Sequence, residues 1–243
     1  GKRKSAFGER ITDVVSIGIG GSHLGSKLIL DALRKKTSQL NIHFLENADQ
    51  NEIARVLHAL ERRNTLFLIA SKSFSTGETL LNAHEAKKWL SQSHPCPEDL
   101  NKSFIGITNN SSAANAFGIS SENILPMWDW VGGRFSVWSA IGLPIALGQG
   151  MTTFYDFLAG AREMDDHFLN SAVNSNLPII MALLSFWNHN CLGAESYAVV
   201  PYCDNLRFLP SYLQQLEMES NGKSITLDGT EVSYNTAPTT WGG

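Results

Sequence analysis

The sequence predicts an α/β protein: a doubly wound parallel sheet flanked by helices, followed by more helices and the start of a second α/β unit. Three observations carry this. Short β-branched runs alternate with longer helical patterns as far as Met127. Those runs are apolar throughout instead of alternating, as strands covered on both faces must be. Beyond Arg134 the pattern turns helical, and one further apolar run follows at Ser196–Tyr202.

The elements follow in order. Val14–Gly18 reads as a strand, followed by a glycine loop and a helix over Leu24–Lys36. Ile42–Leu45 is a second strand, and Glu52–Arg63 carries Ile53, Val56, Leu57 and Leu60 at helical spacing. Thr65–Ala70 is a third, continuously apolar strand that leads through a hydroxyl-rich loop into a helix over Glu78–Leu90. Phe104–Thr108 and Ile124–Met127 complete the set of five. Helices are then expected over Ser136–Leu147, Phe154–Phe168 and Leu177–Cys191, a buried strand at Ser196–Tyr202, and a helix near Pro210–Glu219. Residues 1–150 form one α/β domain in this reading. Residues 151–243 hold linking helices and a truncated second unit.

Composition narrows the function classes. A chain of 243 residues with 43% hydrophobic and 17% charged side chains matches a soluble globular protein with a sizeable core. The net charge of −4, without a long basic run, argues against a nucleic-acid partner. No apolar run is long enough to span a bilayer, and Gly1–Ser5 is basic without the apolar core of a signal peptide. Cys96, Cys191 and Cys203 are odd in number and widely spaced, which fits reduced thiols in a cytoplasmic protein better than a disulfide framework or a zinc site. The chain opens just before a strand and stops at Trp241-Gly242-Gly243, so both ends read as cut.

Four segments carry chemistry. Gly18-Ile19-Gly20-Gly21-Ser22-His23-Leu24-Gly25 fails the dinucleotide spacing, because the third glycine would fall on His23. It lacks the Walker spacing as well. What remains is a glycine turn that sets Ser22 at a helix N-terminus, either as an anion site or simply as an N-cap. Ser71-Lys72-Ser73-Phe74-Ser75-Thr76-Gly77-Glu78-Thr79 gathers five hydroxyls behind a buried strand, the donor density that a phosphate monoester requires. Asp129–Pro144 sets Arg134 after the pair Gly132-Gly133; it is either an anion site with a permanent cation or a turn with a structural ion pair. Gln214–Lys223 closes the last helix. Asn221-Gly222 reads as a left-handed stop, and Glu219 falls in the final turn, where the helix dipole disfavours an anion and suits a general base.

Together these blocks resemble the phosphoglucose isomerase family over essentially the whole chain. Ile11–Val15 with Gly18–Gly25 is similar to the family's first sugar-phosphate loop. Ser71–Thr76 resembles its Ser-Lys-Thr-Phe-Thr-Thr loop, with Ser73 and Ser75 in place of threonines. Asp129–Pro144 resembles one of two family signatures, and Gln214–Lys223 resembles the Gln-Gln-x-x-Met-Glu-Ser-Asn-Gly-Lys segment.

The resemblance implies a sugar-isomerase-type domain and the interconversion of glucose 6-phosphate and fructose 6-phosphate through a cis-enediol. It implies that Gly21 and Ser22 contact the sugar phosphate and that Ser71, Lys72, Ser73 and Thr76 grip it. Glu219 would move the proton between C2 and C1, Arg134 with the Gly133 backbone would stabilise the enediolate, and Gln215 would orient substrate. It implies a homodimer and no metal or organic cofactor. Departures stand at His23, where the family commonly has Asp, and at Ser26, where it often has Pro. The ring-opening His, the later catalytic Lys and the second signature find no counterpart in these residues, so the chain alone is expected to be inactive. His167 and His189 match no such motif. The rival readings are a non-catalytic sugar-phosphate-binding module of the same superfold and, less well matched, a nucleotide-binding oxidoreductase domain.

Overall fold

In the computed structural model, residues 3–34, 40–93, 96 and 99–243 are described. The chain divides into two compact units, residues 1–151 and 152–243.

The first unit is built on parallel strands β1 (Asp13–Ile17), β2 (Asn41–Leu45), β3 (Thr65–Ala70), β4 (Phe104–Thr108) and β5 (Ile124–Pro126). They lie in the order β2-β1-β3-β4-β5. Every residue of β3 is buried, as its unbroken apolar run requires. Its side chains divide by parity. Phe67 and Ile69 join a core with Val15, Ile17, Leu57, Trp89 and Leu90. Leu66 and Leu68 pack on the other face with Val14, Leu143 and Leu147. Helices α2 (Gln50–His58), α3 (Gly77–Ser91) and α4 (Ser111–Phe117) therefore cover one face. On the opposite face α1 (Leu24–Ala32) packs against α5 (Leu143–Gln149). The contact is close: a Cβ on Gly148 would lie 2.7 Å from Leu30 and 3.0 Å from Ile42.

The expected doubly wound sheet is present, and the helix ends are where the expectation gives way. The helix expected to run to Arg63 stops at His58. The chain then makes a short turn at Arg62–Asn64 to enter β3, where Thr65 Oγ1 donates to Glu61 O. Leu60 still packs on the core after the helix has ended, so its periodicity reads through the stop. The helix expected over Leu24–Lys36 ends at Ala32, and residues 35–39 lie outside the described residues. The continuous helix expected over Ser136–Leu147 is broken into 3₁₀ turns at Gly133–Trp138 and Ala140–Gly142 ahead of α5. Ser139 breaks it: its backbone is extended, and its hydroxyl accepts from Ile141 N–H as a cap. The short α4 and its Asn110 cap were not expected at all.

The second unit contains α6 (Met151–Asn170, which begins one residue before the boundary), α7 (Leu177–Phe186), α8 (Leu209–Leu213) and a parallel pair of strands, β6 (Ser196–Val199) and β7 (Thr239–Gly242). The helices after α7 and α8 continue as wider π turns over Trp187–Cys191 and Gln214–Glu219. The strand expected to be buried over Ser196–Tyr202 is shorter and largely exposed. Strand β7 carries too little apolar pattern to be read from sequence. Gly242 suits it, because a Cβ there would overlap the Val199 carbonyl. No buried large apolar side chain belongs to the second unit among the described residues; the buried apolar core ends at Ile145.

Candidate functional site

In an open parallel sheet the ligand crevice lies past the carboxyl ends of the strands, where the strand order reverses. In the order β2-β1-β3-β4-β5 that point falls between β1 and β3. The loops leaving these two strands are the glycine turn and the hydroxyl loop. Between them lies a cleft of about 420 Å³ lined by Gly21, Ser22, Ser71, Lys72, Ser73, Thr76 and Gly133, together with Ile19, Ala70, Thr79 and Asn109. Seven of the residues expected at the site thus line one cleft. Asn109, which also lines the cleft, was not expected there, since nothing in its local sequence separates it from an ordinary polar residue after a strand.

The glycine turn is a single 3₁₀ turn at Gly20–Ser22, and Gly20 takes a left-handed φ of 55°. The residue at the N-cap of α1 is His23 and not Ser22, which leaves the Ser22 side chain in the cleft. Gly21 faces Gly133 so closely that a Cβ on Gly21 would sit 2.6 Å from Gly133 Cα and nearer still to its carbonyl. One hydroxyl staples the two turns: Ser136 Oγ donates within reach of Gly21 O (2.8 Å) and Gly133 O (2.6 Å). Arg134 follows in the same turn and is half-buried.

The hydroxyl loop is anchored from below. Ser71 N–H donates to Ile107 O, and Asn109 N–H and Thr108 Oγ1 both donate to Lys72 O. Phe74 adopts a left-handed φ of 51° and buries its ring in the core against Phe117, at a centroid distance of 6.0 Å. With that ring turned inward, the loop's hydroxyls are displayed toward the cleft and to each other: Ser71 Oγ lies 3.1 Å from Thr76 Oγ1, and Ser73 Oγ lies 2.7 Å from Ser75 Oγ. Thr76 is the N-cap of α3, but its hydroxyl does not cap the helix. The first N–H groups of α3 therefore keep their capacity for an anion. Thr79, one turn in, is buried with a hydroxyl that has no partner. The Lys72 ammonium points elsewhere, donating to the carbonyls of Asp129 (2.6 Å) and Val131 (3.2 Å) and holding that loop against the cleft. What Lys72 offers a ligand in this arrangement is its backbone.

Glu219 and Gln215 belong to the second unit and sit in the π-helical stretch Gln214–Glu219. Glu219 is exposed, and its backbone carbonyl accepts from Lys223 Nζ. Gln215 has a buried Oε1 without a partner. The expected left-handed stop at Gly222 does not form. Gly222 instead closes tightly, its N–H donating to Met218 O at 2.9 Å, and a Cβ there would lie 2.5 Å from that same oxygen. Both helical histidines have structural tasks: His167 Nε2 accepts from Leu177 N–H, and His189 Nδ1 pairs with Ala194 O. Among the described residues no group of His, Cys, Asp and Glu is placed to hold a metal ion, and no helix is long and apolar enough to cross a membrane.

The family model for phosphoglucose isomerase matches residues 1–243. The chain is 52% identical to a glucose-6-phosphate isomerase of Shewanella pealeana and 53% identical to one of Shewanella woodyi, in each case over all of this chain and 45% of the relative. Its backbone is similar to the crystal structure of a glucose-6-phosphate isomerase from Chlamydia trachomatis, with a TM-score of 0.88 and 34% identity over 98% of this chain and 45% of that one. It is also similar to a hypothetical protein from Thermus thermophilus, with a TM-score of 0.81 and 31% identity over 96% of this chain and 54% of that one.

Proposed function

The chain belongs to the phosphoglucose isomerase family, and from that premise we propose that it supplies the phosphate-holding domain and part of the catalytic machinery of a glucose-6-phosphate isomerase. The observation that carries the proposal is the cleft at the β1/β3 reversal, where Ser22, Ser71, Ser73, Thr76 and Thr79 surround the open N-terminus of α3. Hydroxyls and helix N–H groups bind a dianionic phosphate without a neighbouring ammonium, which suits a product that must also leave. Arg134 and the Gly133 backbone take the charge that develops on the enediolate oxygens. Glu219 removes the proton from C2 and returns it to C1, so no atom is gained or lost, and Gln215 orients the sugar chain. This machinery uses no metal or organic cofactor. The working form is a homodimer in the cytoplasm.

The chain spans 45% of the length of its Shewanella relatives. The acid that opens the sugar ring and the later lysine belong to the remainder of the enzyme, so the 243 residues by themselves turn over nothing measurable. Two measurements test this. A calorimetric titration of the folded chain with 6-phosphogluconate is expected to show saturable binding, weakened at least about tenfold, or 1.4 kcal/mol, by Ser71→Ala with Thr76→Ala. Absence of binding to a demonstrably folded chain overturns the phosphate assignment. In a coupled assay, normal turnover by the isolated chain would contradict the division of labour.

A further inference from the structure

A turn of three residues containing two glycines has wide backbone freedom, so the position of Gly21 and Ser22 must be imposed from outside it. Ser136 does so from one side. On the other side lies a partly buried cluster with no part in the proposed chemistry. His23, directly after the turn, is 1% exposed. Its N–H donates to Gly20 O and its carbonyl accepts from Lys27 N–H, both at 3.0 Å. Its imidazole stands edge-on to Phe44, with centroids 4.9 Å apart. Nε2 comes within 2.7 Å of Glu46 Oε2, off the line of an ideal hydrogen bond, and Nδ1 has no hydrogen-bond partner. Glu46 follows β2, and its other oxygen accepts from Lys27 Nζ at 3.1 Å. The imidazole first, and then the lysine, hold the Glu46 carboxyl down at about 2, so it is ionised throughout the working range.

We propose that His23 and Glu46 form a positioning pair that ties the glycine turn to the end of β2 and so presents Ser22 to the phosphate. The role in ligand binding rests on the reading of the cleft given above; the fixing of the turn does not. His23 is a positioning residue, since its side chain is not among those lining the cleft.

Charge reversal with rescue tests the pair in the full 243-residue chain. His23→Asp sets two carboxylates face to face, and adding Glu46→Gln removes the repulsion. In His23→Asp, amide exchange at Ser22 is expected to accelerate, and affinity for 6-phosphogluconate to fall, each by about tenfold or more. The double variant is expected to return both to within about threefold of the parent. Glu46→Ala, at a half-buried strand end, gives the same direction of change should His23→Asp not fold. Unchanged Ser22 exchange in a folded variant overturns the proposal. So does a double variant that regains its melting temperature without regaining Ser22 protection. If the parent chain binds no phosphosugar, the reading of the cleft fails, and the exchange data alone decide the pair.

Discussion

At the scale of single residues, two facing glycines make unequal demands. Gly21 has no room for a Cβ, because the backbone of Gly133 occupies that space. Gly133 is less constrained: a Cβ there would lie 3.8 Å from Gly21 Cα, an ordinary contact, and its φ is not left-handed. Gly21→Ala should therefore cost about 2 kcal/mol or more, in the range of overpacking, and part the two turns. Gly133→Ala should cost less than about 1 kcal/mol. Urea unfolding of the two variants checks the order, and equal or inverted costs would show that the close approach is not what selects glycine. The sequence displayed both glycines alike, since a neighbour so distant along the chain leaves no trace in a residue's local pattern.

At the scale of elements, the strands were readable and the breaks were not. Strands β3 and β4 begin and end where their apolar runs do, because burial on both faces leaves no alternative composition. Helix limits depend on where the chain must turn next, which is a tertiary fact. Leu60 continues a helical rhythm outside its helix, and Ser139 interrupts one inside an apolar stretch. The site was legible to the extent that it is written in residue types. Five hydroxyls behind a buried strand signal phosphate, while Asn109 and the His23–Glu46 contact depend on strand order. Phe74 links loop to core. Its buried ring anchors the hydroxyl loop, and its left-handed backbone is a strain that the packing must outweigh. Phe74→Ala should lower the unfolding free energy by about 3 kcal/mol. Phe74→Gly should do no worse, because glycine recovers about 1 kcal/mol of that strain. Denaturant unfolding of both variants decides, and a markedly less stable glycine variant would sink the account.

At the scale of the whole molecule, the units differ in what holds them. The first has a buried core on both faces of its sheet, while many apolar side chains of the second, among them Met181, Leu184, Phe186 and Trp187, are more than half exposed. Stability should follow. Brief trypsin digestion is expected to cut first after the exposed Arg162 and Arg207 and to leave a resistant piece containing β1–β5. Mass spectrometry of the fragments checks this, and early cleavage after Arg62 or Arg63 would contradict it. Strand order also bears on how the molecule is assembled. Because β1 is paired with both β2 and β3, a chain emerging from the ribosome cannot complete the hydrogen bonds of Val14–Ile17 until residues 65–70 have followed. The pairing that ends this wait also brings together the loops after Ile17 and Ala70. If, as proposed, a sugar phosphate is captured between them, it acts as a clasp on the β1–β3 seam, so its presence during synthesis should speed commitment to the folded state.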